Sequence, residues 1–348
     1  MYFCSSLVLA AVAVRSILAA PAEKGHTKCK PFSGNFTVDQ YQLYPENVDF
    51  DPDSCLLYIS SLFNATVAIY DPYSSKIVDI LTFPGITNTS VTQIGGLGLD
   101  PSTGLLSIVA NAGAAFPSHG ADLSGSNFIL QWDPATKITT YRLNLTETSR
   151  GRYGGFQDVE MDPAGNVYVV GTYPSSILRV DRRSHDVREW YVESPLTPTV
   201  EGTGGLAAKG WMLLSNHVDS SSLLRFDMRS AAGSPVVVPM TPNVAFGATD
   251  AIFLPPKYHG TVLLVAEGAA GIRVLRSQDG TWDAAEYLGI ARWEVEGDFV
   301  TSSTEIGGSL YMVLENFGDP VVAGTVAGAR ASFPFVDITK EVEKLVGA

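Results

Sequence analysis

The sequence predicts an all-β protein, a six-bladed β-propeller closed by an N-terminal strand, and three observations point that way. Residues 155–190, GFQDVEMDPAGNVYVVGTYPSSILRVDRRSHDVREW, alternate polar and apolar positions through four short runs, with turns at Asp162-Pro163-Ala164-Gly165-Asn166 and near Tyr173-Pro174-Ser175-Ser176. Four short strands in about 35 to 40 residues match one propeller blade. Comparable units lie on both sides, with second strands LLYIS, LLSIV, VYVVG, WMLLS, VLLVA and LYMVL, and Asp-Pro turns at Asp51, Asp100 and Asp162. The 33 Gly and 20 Pro favour turns over long helices. A lone blade cannot bury both faces, so repetition around a ring supplies the core.

From the N-terminus, SSLVLAAVAVRSILAA before Pro21 reads as a secretory signal, with cleavage near Ala20 or Ala22. Residues 1–20 are therefore expected to be a signal peptide and 21–348 a single propeller domain. No later segment is apolar for long enough to span a bilayer, so no stable membrane insertion is expected after cleavage. The expected location is the secretory pathway, either outside the cell or within a secretory or vacuolar lumen. Cys4 would leave with the signal, and Cys29 and Cys55 are expected to form a disulfide that fastens the N-terminal arm to the first blade. Asn35, Asn64, Asn88 and Asn144 begin glycosylation sequons.

Blade one is read over 47–84, blade two over 95–145 and blade three over 155–190. Blade four opens at Gly204-Gly205 and closes with PVVVPM; blade five runs from Ala248 to TWDAAEYLGI. Blade six takes FVTSSTEIGGSLYMVLENFG, then VVAGTV as a degenerate third strand, and SFPFVDI. Residues 36–44, FTVDQYQLY, supply its missing strand beside SFPFVDI, which protects the terminal edges. ITKEVEKLV is expected to add a short amphipathic helix outside the ring. Between Asn111 and Asn127, AGAAFPSHGADLSGS is too long for a hairpin turn and reads as a rim loop over a site, or as a disordered excursion.

Two sets of connections reach one rim of a propeller: those entering inner strands and those joining strands two and three. The entering set offers Glu46, Gln157, Asp158, Thr203, Asp250 and Thr304; the other offers Asn64, Asn111, Tyr173, Asn216, His217, Glu267, Glu315, Asn316 and Phe317. Glu46, Asp158 and Asp250 share one phase before blades one, three and five. They are alternative ligands for calcium or another divalent ion, or else strand caps lining a wet channel. His217 can pair with Glu267 as a general acid/base, and Tyr173 can donate a proton to an oxygen-rich substrate. Phe63, Phe116, Tyr173 and Phe317 are candidates for an apolar wall, against the simpler reading that they pack between blades.

A formal charge of -13 argues against nucleic acid or an anionic membrane as partner. GxSxG, HExxH, Walker and dinucleotide glycine motifs are absent, which weakens common hydrolase, kinase and Rossmann readings.

Taken together, NVDFDPDSCLLYISSLFNATVAIYDP, GGLGLDPSTGLLSIVANAG, GFQDVEMDPAGNVYVVGTYPSSILRVD and GTGGLAAKGWMLLSNHVDSSSLLRFD resemble fungal secreted six-bladed propellers of terpenoid and polyketide pathways. The chain looks especially like the hetero-Diels-Alderases of tropolonic sesquiterpenoid biosynthesis, and it also resembles the related propellers of trichothecene pathways. The resemblance implies an enzyme, a pericyclase, that joins a tropolone o-quinone methide to a humulene-like olefin and assists dehydration of the precursor. It implies hydrophobic small-molecule substrates and no cofactor. On that implication Tyr173 and His217 stand near the oxygenated partner and Phe116 and Phe317 near the hydrocarbon. Glu267 or Asp158 assists proton removal or orients the site, while Phe63, Asn111, Asn216 and Asn316 complete the binding set. A metal-dependent lactonase or a noncatalytic binding propeller is the alternative.

Overall fold

The computed structural model describes residues 29–292 and 299–347. The expected signal segment falls outside them. Six sheets, antiparallel but for one added strand, follow one another around a ring, as expected for the propeller. Blade three, for example, is built from Gly154–Met161, Val167–Tyr173, Ser176–Val180 and Val187–Val192, paired in that order.

The unbroken apolar runs of the second strands have a simple cause. Side chains alternate across a strand, and here both faces are covered by neighbouring blades. In Val167–Tyr173, Val167 and Val169 pack toward blade two, whereas Tyr168 and Val170 pack toward blade four. The buried apolar side chains accordingly fall into six clusters, one at each blade interface. The outer strands show the opposite pattern: Lys76–Leu81 alternates exposed with half-buried positions because one face meets solvent.

Closure follows the sequence expectation. Phe36–Asp39 pairs antiparallel with Ser332–Asp337, placing Phe36 opposite Phe335, and the two rings stack at 4.8 Å. The chain ends thereby share one sheet, with the N-terminal strand as its outermost member. Cys29 and Cys55 are disulfide-bonded with Cα atoms 5.5 Å apart, tying the arm to the first hairpin of blade one. The terminal helix, Thr339–Val346, buries Val342 against blades five and six.

Two assignments change. VVAGTV is not a strand; it lies in the connection between Ser309–Glu315 and Ser332–Asp337, and SFPFVD is the third strand of blade six. Its Gly and Ala give a pleated surface little to pack, whereas Phe333 and Phe335 fill the interface with blade one. The end of PVVVPM also leaves blade four: Met240–Thr241 pairs parallel with Ala285–Arg292 and gives blade five a fifth strand.

Candidate functional site

The innermost strands bring their acids to the axis of the ring. Glu46 sits in Pro45–Asp51, Asp158 in Gly154–Met161, and Asp250 two residues before Ile252–Phe253; Glu46 and Asp158 are buried and Asp250 is half-buried. Glu315, the last residue of Ser309–Glu315, completes the group and has no exposed surface. Burial first, then repulsion from Asp250, Asp158 and Glu315, raises the Glu46 carboxyl well above the carboxylate range. Burial, then the charges of Asp158 and Glu201, pushes Asp250 up to about 8. Burial raises Asp158 to about 7, against the N–H groups of Leu206 and Val159. Glu315 is raised by burial and then by Asp250. Below these, burial raises Asp49 to about 6 and Glu160 well above its ordinary value.

These groups divide by their partners. Asp158 is a tie: it accepts from Asn47 Nδ2 at 3.2 Å, the Val159 N–H at 2.8 Å and the Leu206 N–H of blade four at 2.8 Å. Both Glu315 oxygens and Glu46 Oε2 are buried without a hydrogen-bond partner. So are Asn111 Oδ1, Thr301 Oγ1 and Ser302 Oγ. A buried polar atom is costly unless something completes its bonding, so these atoms mark where an oxygen-rich ligand gains most.

The expected cation ring of Glu46, Asp158 and Asp250 does not fit. Asp158 spends its oxygens on protein donors, and among the described residues no three His, Cys, Asp or Glu side chains stand close enough to hold a metal.

Around this floor, the rim is partly apolar. Tyr173 is buried, its ring 5.6 Å from Phe116 in an edge-to-face contact, and burial followed by the nearby Glu201 carboxylate raises its hydroxyl pKa. The 113–125 loop is folded down rather than loose: Gly120 is buried at φ 75°, where an added Cβ would lie 2.8 Å from Tyr173 Cδ1. Val91, Leu196, Phe317 and Val321 are exposed on connections that the topology sends to this same rim.

Several candidates are engaged elsewhere. Glu267 does not meet His217; it receives Arg273 Nε at 2.7 Å and Nη2 at 2.9 Å, and the Gly247 N–H at 2.5 Å. Arg273 also donates to the carbonyls of Val244 and Ala245, so this pair fastens the loop that leads into blade five. His217 instead lies 3.4 Å from Glu193 and 3.0 Å from Ser220. Asn216 is consumed by the Gly205 N–H, Thr249 and the Asp250 carbonyl. Asn316 is buried at the mouth beside Glu315 in sequence, Phe63 packs edge-on against Tyr44, and Phe317 against Phe299.

Among the sequons, Asn35 and Asn88 are exposed, whereas the half-buried Asn64 spends its amide on the Gln42 carbonyl. Asn144 is half-buried and donates to Glu147. Glu315 stood among the rim positions without a role, and Glu160 was passed over although it lies two residues beyond Asp158 on the same strand face. Glu193 and Glu201 sit in connections, where no periodicity marks them.

No family model matches the chain. It is 38% identical over 339 residues to trichothecene biosynthesis protein 14 of Trichoderma arundinaceum, covering 92% of this chain and 93% of that protein. It is 33% identical over 337 residues to core trichothecene cluster protein 14 of Fusarium sporotrichioides, covering 92% and 88%. In structure it is similar to the allergen Mala s 1 of Malassezia sympodialis, with a TM-score of 0.74 at 19% identity over 88% of this chain and 96% of that one. It is also similar to a gluconolactonase of Xanthomonas campestris, with a TM-score of 0.54 at 14% identity over 87% and 89%. Those two likenesses speak to fold alone. With six blades closed as described and matches that run nearly end to end, the chain belongs to the family of trichothecene biosynthesis protein 14.

Proposed function

We propose that this propeller is a secondary-metabolite enzyme that binds a hydrophobic, oxygen-bearing molecule over the central acids. The reaction we assign is the stereoselective hetero-Diels-Alder addition of a humulene-like olefin to a tropolone o-quinone methide. One observation carries most weight: Glu315 presents two buried oxygens with no protein partner, beside Glu46 and Asp250.

A carboxyl kept protonated by its surroundings is a hydrogen-bond donor in a place where water is scarce. Aimed at the oxygen of a quinone methide, it stabilises the charge that grows there as the first bond forms. The same acid serves the preceding dehydration. Its proton leaves with the departing hydroxyl as water, and the ring hydroxyl proton returns to the carboxylate, so no net charge accumulates. The cycloaddition then forms one C–C and one C–O σ bond at the expense of the olefin π bond and the two π bonds of the heterodiene, which leave one new C=C, so no outside electron donor or acceptor is needed. Phe116, Tyr173 and the apolar rim hold the olefin, replacing part of the entropy cost of bringing two molecules together. They also keep water from the electrophilic carbon.

The test supplies precursor and olefin to purified protein and measures product rate and stereochemistry. One dominant stereoisomer formed faster than without protein is expected, with Glu315→Gln, whose amide still donates a hydrogen bond but cannot pass on the proton that dehydration needs, slowing formation from the precursor by about a hundredfold or more. Equal rate and isomer ratio with and without protein would end the cycloaddition reading. Tight product binding without turnover would make the protein a carrier instead.

A further inference from the structure

The geometry points to a second site on the rim: we propose that Ser220 is a nucleophile for acyl transfer, with His217 as its base and Glu193 as the group that orients the base. Ser220 is exposed in the turn between Met212–His217 and Ser222–Asp227 of blade four, and Ser220 Oγ lies 3.0 Å from His217 Nδ1. On the other side of the ring, Nε2 lies 3.4 Å from Glu193 Oε2. A carboxylate there holds the proton on Nε2 and leaves Nδ1 with the lone pair facing the serine. A hydroxyl, a base within reach and a carboxylate behind the base form the arrangement that activates a nucleophile.

The turn is held in place rather than loose. The Val218 N–H donates to the Gly202 carbonyl at 2.9 Å, the Asp219 N–H to Glu201 at 3.0 Å, and the Ser221 N–H to Val218 at 3.0 Å. His217 itself is buried while Ser220 faces solvent, so the base is shielded and the nucleophile is accessible. The Ser220 N–H also points at Nδ1, at 3.3 Å. Once Nδ1 takes the serine proton it can no longer accept that bond. The N–H is then released beside the new acyl-oxygen bond, where a developing oxyanion needs a donor.

The step balances. Ser220 Oγ bonds to the carbonyl carbon, its proton passes to Nδ1, and the ester C–O bond breaks as that proton goes to the leaving alkoxide. Water then repeats the sequence on the acyl-serine and releases a carboxylic acid. Glu193, Glu201 and Asp219 surround the turn in chain and space, so an anionic acyl group is repelled. Leu196, three residues beyond Glu193 in the chain, is exposed on the same connection, so the class of alcohol proposed is apolar. The substrate class is a short neutral ester, such as an acetate, of a hydrophobic alcohol.

A biotinylated fluorophosphonate tests this without any terpenoid substrate, because Oγ displaces fluoride from phosphorus by the same proton transfer. The expected result is one adduct on Ser220, located by peptide mass mapping, together with turnover of p-nitrophenyl acetate. Ser220→Ala, a change in an exposed turn, removes the adduct and lowers ester turnover at least tenfold at an unchanged melting temperature. Glu193→Gln lowers kcat severalfold with KM unchanged, and Glu193→Asp recovers part of the loss, as a positioning role requires. Absence of a Ser220 adduct on the folded protein, or wild-type ester turnover by Ser220→Ala, overturns the proposal.

Discussion

Odd and even blades solve different problems at the axis. Blades one, three and five bring Glu46, Asp158 and Asp250 to the mouth of their inner strands, whereas blades two and four bring Gly95-Gly96 and Gly204-Gly205. The glycines are what allow the acids to crowd. A Cβ at Gly96 would lie 2.5 Å from Asp158 Cα and 2.8 Å from its Oδ1; one at Gly205 would lie 2.5 Å from the Ile252 nitrogen. Asp158 Cα and the Ile252 nitrogen are backbone atoms that no rotamer change can move aside, so the inner strands themselves must separate. The acids of the odd blades thus reach the axis because blades two and four lack side chains beside them.

The sharpest way to break this contrast is to add one methyl group. Gly96→Ala and Gly205→Ala are expected to destabilise the fold by about 3 kcal/mol or more, at the upper end of overpacking costs, or to prevent its recovery in soluble form. Gly104→Ala is the comparison: its Cβ would meet nothing within 4 Å, and only the positive φ of 72° opposes it. About 1 kcal/mol is expected there. Urea unfolding midpoints for the three variants decide the matter, and equal losses would mean that close approach of the strands is not what the paired glycines provide.

The central acids also differ among themselves, those of the odd blades from Glu315 of blade six. Asp158 joins blades one, three and four through Asn47 and Leu206, so Asp158→Ala abandons three buried donors. A loss of roughly 2 to 4 kcal/mol is expected from stranding such groups. Glu315 holds nothing, so Glu315→Gln is expected to be neutral or stabilising near pH 7 while impairing turnover. Were Glu315→Gln to destabilise as much as Asp158→Ala, the division into structural and functional acids would fail.

The ring was legible because its physics is periodic. Second strands buried on both faces leave unbroken apolar runs, and Asp-Pro turns mark the hairpins between them. The common phase of Glu46, Asp158 and Asp250 was readable for the same reason. Partner choice was not. Glu267 and Arg273 lie diagonally across one hairpin, with Val265 opposite Arg273 and Glu267 opposite Gly271, so their pairing follows only once the register is known. His217 and Ser220 share a turn whose conformation the residue types leave open. Blade six misled because the Gly- and Ala-containing VVAGTV resembles a weak strand, while the true third strand contains Pro334 and sits near the edge.

The smallest effect is also the most diagnostic of how the acids coexist. Asp49, Asp158 and Asp250 are raised to about 6, 7 and 8 in the folded protein, against about 4 for an unfolded carboxyl. Between those limits the folded state binds more protons than the unfolded one. Stability is therefore fully present below about pH 4 for these groups and falls as pH rises, levelling off above about 8. Each group in its own window contributes about 1.4 kcal/mol per pH unit at most. Lowered carboxyls such as Asp319 and Asp337 act oppositely but only at the acid end of the range. A melting temperature that declines from pH 5 to pH 8 is expected. Glu315→Gln removes a further raised carboxyl and a source of repulsion on Glu46, so its decline should be shallower, and it should melt higher than the parent at pH 8. The exposed Asp186→Asn is the control for overall negative charge and should leave the slope unchanged. A flat or rising profile from pH 5 to pH 8 would show that the central acids are ionised, and the hydrogen-bond donation assigned to them would have to come from Tyr173.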